Sequence, residues 1–310
     1  MKRWLGRLGL VLGLGLAAFV FGFLPYFLAG VFTVRTFQMS DKENEGLTPA
    51  SFDLAFDDVS FAARDGVALS GWWVPAADAK GTVVLVHGLN RSRLEMVRKT
   101  PFLHRLGWNS LLFDLRRHGK SGGSLRSLGF HERNDVLGAE DFARQRAPGP
   151  FVAWGISFGG AASALAAAEE PRIDAVICDS SYRSLKDTAR HHFALFRRFA
   201  WWLRLVPVWP TANEAVFWMG RRAGFDPDAL DVLAAVRHLA GRPALFVAGS
   251  GDERMPPDIA FDLKAGAGPE ARVLVIPSKG HGHAYRDGTA PYERAVGEVL
   301  DEVLERSRTR

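Results

Sequence analysis

Residues 8–34 run 27 positions without a charge. As helix that run reaches about 40 Å, enough to cross a hydrocarbon layer of ~30 Å with some tilt. It exceeds the apolar region of a secretory signal peptide, so a transmembrane anchor over residues 1–34 is expected. Cleavage after Ala29-Gly30, where small residues stand, is the competing reading, and Pro25 is expected to kink the helix or mark its outer end. Residues 35–52 are polar, carry Gly46 and Pro49, and read as a linker. From Phe56 apolar and polar positions alternate. Asp58-Val59-Ser60-Phe61, the turn Arg64-Asp65-Gly66 and the return over residues 67–74 predict a hairpin. Alternation then gives way to a continuous apolar run at 81–86, the pattern of a strand buried on both faces of a parallel sheet, and to apolar runs at 151–154 and 173–178; further strands are expected at 109–113, 244–248 and 272–276. Helical stretches separate them at 91–106, 132–146, 161–170, near 257–265, and at 291–305. The result is an α/β chain with a doubly wound, mostly parallel sheet. Its core is expected over 53–180 and 241–310, interrupted by a helical cap or lid at 181–240. Ligands of such sheets bind beyond the carboxyl ends of the strands.

Composition and charge refine this outline. With 310 residues, 47% of them hydrophobic, the chain can bury one large core. The single cysteine, Cys178, excludes an internal disulfide, leaves the compartment open and reads as a small core residue. The net charge of +5 is uneven: residues 1–35 carry +4, residues 181–240 carry nine basic against five acidic side chains, and the remainder is acidic. That is not the footprint of a nucleic-acid binder. Lys2, Arg3 and Arg7 precede the apolar run, and Arg35, Asp41, Lys42, Glu43 and Glu45 follow it. The positive-inside rule therefore expects a single-pass protein with a cytoplasmic N-terminus and its body on the extracytoplasmic side. The cap interleaves Phe193, Phe196, Phe199, Trp201, Trp202, Trp209, Phe217 and Trp218 with Arg190, Arg197, Arg198, Arg204, Arg221 and Arg222. Either these aromatics pack on the body, or the cap is a lid that also touches lipid. RNA binding would suit the same mixture, but the adjoining anchor and the acidic remainder argue against it.

The chemistry gathers at Gly155-Ile156-Ser157-Phe158-Gly159. An apolar strand precedes it and an alanine-rich helix follows, the setting of a nucleophile elbow. The flanking glycines are required because the chain reverses so sharply that a Cβ would collide. An acyl-transfer serine needs two amide donors aimed at the oxyanion. Phe158, directly after the nucleophile, is one; Leu89, in His87-Gly88-Leu89-Asn90 after the third strand, is the other, with Asn90 as its alternate. His87 reads as a loop-shaping group. The base falls in Lys279-Gly280-His281-Gly282-His283 past the last strand, where His281 is favoured and His283 competes. Asp252, after the strand at 244–248, orients the imidazole, with Asp179 as rival. Gly119-Lys120-Ser121 is no P-loop, because Asp114 stands where glycine is needed, and His131-Glu132 is no zinc site, because residue 135 is Asp. No metal and no cofactor is expected.

The stretches Asp65-Gly66-Val67-Ala68-Leu69-Ser70-Gly71-Trp72-Trp73-Val74-Pro75, Val86-His87-Gly88, Asp114-Leu115-Arg116-Arg117-His118-Gly119-Lys120-Ser121-Gly122-Gly123, the elbow, residues 249–252 and Gly280-His281 support a resemblance over residues 56–305. The chain resembles the bacterial membrane-anchored α/β-hydrolases, a serine-hydrolase group with esterase, lipase and peptidase relatives. The resemblance implies the α/β-hydrolase fold, and a structural rather than catalytic part for the Asp-x-Arg-x-His-Gly-x-Ser loop holding Asp114 and His118. The expected function is hydrolysis of a carboxylic ester or related acyl compound, small or lipid-like, by Ser157, His281 and Asp252. A peptidase of the same fold shares every motif. A non-catalytic scaffold is the alternative of another class; retention of Ser, Asp and His together argues against it.

Overall fold

In the computed structural model the described residues are 2–34, 41–198 and 204–309. Eight strands form one sheet: β1 (Asp57–Ala62), β2 (Ala68–Val74), β3 (Thr82–Val86), β4 (Asn109–Phe113), β5 (Phe151–Ile156), β6 (Ala175–Asp179), β7 (Ala244–Gly249) and β8 (Ala271–Ile276). Their spatial order is β1-β2-β4-β3-β5-β6-β7-β8. The β1/β2 and β2/β4 pairs are antiparallel and the others parallel. Burial explains the change of pattern along the sequence. No residue of β1 is fully buried, and its inner positions alternate, whereas every residue of β3 to β7 is buried. This is the α/β-hydrolase fold.

The helices, in chain order, are α1 (Lys2–Ala18), α2 (Leu24–Thr33), α3 (Thr100–Arg105), α4 (Arg133–Arg146), α5 (Phe158–Glu169), α6 (Leu185–Phe196), α7 (Val208–Ala223), α8 (Val232–Val236), α9 (Pro257–Ala267), α10 (Ala284–Asp287) and α11 (Thr289–Arg308). One expected helix differs. Residues 91–106 are not continuous: a 3₁₀ helix, Arg93–Lys99, hands over to α3, whose first turn holds Pro101. Proline cannot donate to the carbonyl four residues back, so the helix restarts there. Residues 41–52 are likewise more than a linker. Arg98 donates to Asn44 Oδ1 at 2.6 Å and to the Glu43 carbonyl at 2.7 Å, and Pro49–Phe52 form a 3₁₀ turn.

The chain forms two compact units. One comprises Thr36–Arg183 and Asp231–Arg310 and contains the whole sheet together with α8; the other comprises Met1–Arg35 and Ser184–Leu230. The chain's excursion between them closes tightly. The Arg183 carbonyl accepts the amides of Val232 (2.8 Å) and Leu233 (3.0 Å), and the Leu185 amide donates to the Leu230 carbonyl at 3.1 Å.

In the smaller unit, α2 packs with α6 and α7. Val20, Phe193, Val206 and Ala212 form a buried cluster flanked by Leu24, Leu28, Ala189 and Val208. Farther along, Tyr26 meets Trp218 edge-on at 5.3 Å, and the Arg222 guanidinium lies 3.9 Å over the Tyr26 ring, beside Gly30. Positions advance together on the two helices, so α2 and α7 run parallel. Pro25 neither ends the helix nor breaks it. A π turn at Phe19–Phe23, where the Leu24 amide reaches back to the Phe19 carbonyl, absorbs the missing donor. Trp4–Thr33 is long and apolar enough to cross a membrane, by length and composition. Of the aromatics singled out in the cap, Phe199, Trp201 and Trp202 lie outside the described residues.

Candidate functional site

Ser157 joins β5 to α5 at φ 53°, ψ −113°, a conformation that costs an L-residue about 1–3 kcal/mol. The neighbours enforce it. A Cβ on Gly155 would stand 2.2 Å from the Gly159 carbonyl oxygen, and one on Gly159 would stand 2.4 Å from that of Val86. The Ser157 amide is pinned to the Asp179 carbonyl at 2.7 Å. Only 8% of the serine is exposed, so its hydroxyl is presented from the sheet edge in a largely dry setting.

The structure brings Ser157, His281 and Asp252 together. His281 Nε2 lies 2.8 Å from Ser157 Oγ, and Nδ1 lies 2.8 Å from Asp252 Oδ2. The carboxylate fixes the tautomer: Nδ1–H donates to Asp252, leaving Nε2 to accept the serine proton. The other Asp252 oxygen accepts the amides of Arg254 and Met255, each at 3.0 Å. Burial pushes the Asp252 carboxyl up, but the His281 contact and these amides outweigh it and hold the group below its ordinary range. His283 is turned elsewhere; its Nδ1 accepts from Arg286 Nη2 at 2.9 Å. Gly280 permits the loop, since a Cβ there would stand 1.8 Å from His283 Nδ1, and Gly282 takes φ 71°.

Asp179 does not share this chain of contacts. Its Oδ2 accepts from the Tyr292 hydroxyl at 3.0 Å, its Oδ1 from Ser180 Oγ at 2.9 Å, and Tyr292 in turn accepts from Trp154 Nε1 at 3.1 Å. Burial raises the Asp179 carboxyl, and the Lys99 charge opposes that rise. Lys99 is itself buried, which lowers its ammonium, and lies 4.5 Å over the Tyr285 ring. This polar cluster beneath the elbow was not visible in the sequence. Lys99 lies inside the stretch 91–106, which reads simply as a helix.

The loop after β3 separates its three amides. Gly88 donates to Glu95 Oε2 at 2.6 Å, and Asn90, at φ 61°, donates to His118 Nε2 at 3.2 Å. Asn90 Oδ1 is also taken, by Arg126. Among the described residues the Leu89 and Phe158 amides have no backbone acceptor. Of the two amides that could serve in this loop, Leu89 is therefore the available one and Asn90 is committed.

His87 and His118 are structural. His87 donates through Nδ1 to the Gly88 carbonyl (2.7 Å) and accepts the Leu115 amide on Nε2 (3.0 Å). His118 donates through Nδ1 to the Arg116 carbonyl at 2.9 Å. Burial keeps both neutral, pushing His118 down to about 3. Asp114 pairs with Arg93 at 2.8 Å and takes the Lys120 amide at 2.9 Å. A Cβ on Gly119 would fall 2.0 Å from its carboxylate, which is why glycine stands there. Among the described residues no cluster of His, Cys, Asp and Glu could hold a metal.

The family described as serine aminopeptidase, S33, matches residues 77–222. That span includes Ser157 and the loop after β3 but neither Asp252 nor His281. The uncharacterised protein YqkD of Bacillus subtilis is 26% identical over 242 residues, 76% of each chain. The α/β-hydrolase domain-containing protein WAV2 of Arabidopsis thaliana is 23% identical over 274 residues, 84% of each. Among solved structures, the Pyrococcus furiosus esterase Pf2001 superposes with a TM-score of 0.70 at 23% identity, covering 87% of this chain and 98% of its own. That likeness is one of fold.

Proposed function

We propose that the protein is a membrane-anchored serine hydrolase that cleaves a carboxylic ester or related acyl substrate through a covalent acyl-enzyme. The observation that carries this reading is the unbroken contact from Asp252 through His281 to Ser157, each step 2.8 Å, ending on a serine held in a conformation that only a tight elbow sustains. Ser157 Oγ attacks the acyl carbon as its proton passes to His281 Nε2. The Asp252 carboxylate stabilises the imidazolium that forms. The Leu89 and Phe158 amides donate to the oxyanion, each contributing about 3 kcal/mol of barrier lowering when preorganised. His281 then returns the proton to the leaving alcohol. Water repeats the sequence on the acyl-enzyme, releasing the acid and restoring the serine.

The apolar helix Trp4–Thr33 supports anchoring, with the N-terminus cytoplasmic by the charges that flank it. At the membrane surface a lipid-like acyl substrate is the natural partner. A second reading, an aminopeptidase, is favoured by the family match alone. Purified full chain should label with a fluorophosphonate probe, and Ser157→Ala should not. Side-by-side turnover of an acyl-ester length series and of amino-acid anilides separates the two readings. Anilide cleavage without ester cleavage sinks the esterase assignment.

A further inference from the structure

The helix Trp4–Thr33 is two different objects end to end. From Trp4 to Phe19 every residue is exposed, whichever way it points. From Val20 onward one stripe is buried, at Val20, Pro25, Ala29 and Thr33, and that stripe faces α6 and α7 of the same unit. Residues 4–23 number twenty, which as helix span about 30 Å, the thickness of a hydrocarbon core, when Arg7 in the first turn snorkels to the headgroups; the uncharged part, 8–23, is sixteen residues and about 24 Å. The exposed part plus the π turn is therefore long enough to cross a bilayer by itself. The ten residues of α2 are not needed for crossing.

The other end of α7 supplies a second observation. Phe196, Leu205 and Trp209 are exposed by 52%, 79% and 66%. Val206 and Val208, neighbours of Leu205 and Trp209, share the cluster with Val20 and Leu24, so these exposed side chains stand at the level of Val20 to Leu24. The same level carries the exposed Phe19, Phe21 and Phe23. Arg204 is exposed beside them, and Arg197 donates to its carbonyl at 2.6 Å. Aromatic and long apolar side chains edged by arginine are the composition of a bilayer interface.

We propose that the hydrocarbon core ends near Phe23, that α2 is a working helix of the cap, and that Phe196, Leu205 and Trp209 rest in the adjacent lipid interface. The occupant of this apolar surface is lipid, because it continues the lipid-exposed surface of α1 without a break. The inference rests on the anchor reading given above and adds to it the depth at which the cap sits. α2 then fixes α7 in register with the membrane surface, so the cap cannot leave the interface without unpacking Val20, Ala29 and Thr33.

The test uses the full chain in vesicles of mixed anionic and zwitterionic phospholipid. Cys178 is buried, so single cysteines introduced as Leu10→Cys, Trp209→Cys and Val34→Cys can each carry a nitroxide label. Collision with oxygen, which partitions into lipid, is compared with collision with a water-soluble nickel chelate. The expected result is strong nickel shielding at position 10, none at 34, and intermediate values at 209, several-fold less nickel-accessible than 34. Nickel access at 209 equal to that at 34, or shielding at 34 equal to that at 10, overturns the proposal while leaving the anchor intact. Shielding of 209 from oxygen and nickel alike would mean that protein, not lipid, covers the patch, and also overturns it. Free nickel access at position 10 would remove the anchor itself.

Discussion

The amide of Asn90 donates to Nε2 of His118, across 28 residues of sequence and 3.2 Å of space. Because Gly88 is likewise engaged with Glu95, Leu89 is left as the amide of this loop that can turn to a substrate. On the proposed mechanism, a buried imidazole thus takes Asn90 and leaves Leu89 as the oxyanion donor. His118→Phe, which keeps bulk and removes the acceptor, should lower kcat about ten- to a hundredfold with KM little changed, as expected when one oxyanion donor is misplaced.

The same histidine makes stability depend on pH. Held near 3 in the folded protein against about 6.5 unfolded, it binds its proton more readily in the unfolded chain throughout that window. Stability is therefore lost as pH falls below 6.5, by about 2 kcal/mol from this one group at pH 5. Urea unfolding at pH 7 and pH 5 should show that loss in the wild type and a smaller one in His118→Gln. Equal losses would remove His118 from the account.

At Ser157, two replacements that should both abolish phosphonate labelling should differ in stability. Alanine at position 157 suffers the same φ of 53° as serine, so Ser157→Ala should unfold close to the wild type. Glycine tolerates that backbone, so Ser157→Gly should gain about 1 kcal/mol over Ser157→Ala despite its larger chain entropy. Thermal denaturation of the two proteins decides.

The rival pairs at the site make a further set. His281→Ala should abolish turnover, while His283→Ala, which loses only its contact with Arg286, should stay within about tenfold of the wild type. Asp252→Asn should cost about 10⁴-fold in kcat. Asp179→Asn should instead act on stability, by about 1–3 kcal/mol, because it leaves Lys99 facing a neutral side chain and keeps only one acceptor oxygen for the Tyr292 and Ser180 hydroxyls. Combining it with Lys99→Met should recover part of the loss. Steady-state kinetics beside denaturation curves separates the two kinds of effect.

The strands, the elbow and the positions of Ser157, Asp252 and His281 at strand ends were legible because each is a local pattern: an apolar run, a glycine pair, a polar residue just past the run. Pro101 is visible in the sequence, but a proline alone does not say that the turns before it tighten into a 3₁₀ helix. What could not be read were pairings fixed only by tertiary packing. Lys99 under Tyr285, Asn90 on His118, and Val20 sharing a core with Ala212 carry no signature in spacing. Pro25 was ambiguous for the same reason: a proline in an apolar helix kinks it, ends it or sits behind a π turn, according to its neighbours in space.

Gly138 gives a stability test of such hidden packing. In an ordinary helix interior Gly→Ala gains about 1 kcal/mol. Here a Cβ would meet the Ala62 carbonyl oxygen at 2.3 Å and the Ala63 Cα at 2.6 Å, both backbone atoms that cannot step aside. Gly138→Ala should therefore destabilise by about 1–3 kcal/mol, the sign opposite to helix propensity, measured by urea midpoint at unchanged slope.

The closure at Arg183, whose carbonyl takes both Val232 and Leu233, bears on how the molecule can diversify. Residues 184–230 leave and re-enter the chain through adjoining points, and a second rung, Leu185 to Leu230, ties their own ends. Such a segment is a cassette: its length and sequence can change without altering the path of β6, β7 or the loops that hold Asp252 and His281. New surface preferences can arise on that cassette so long as the face packed on Val20, Leu24 and Leu28 is kept, while the steric vice around Ser157 admits no comparable variation.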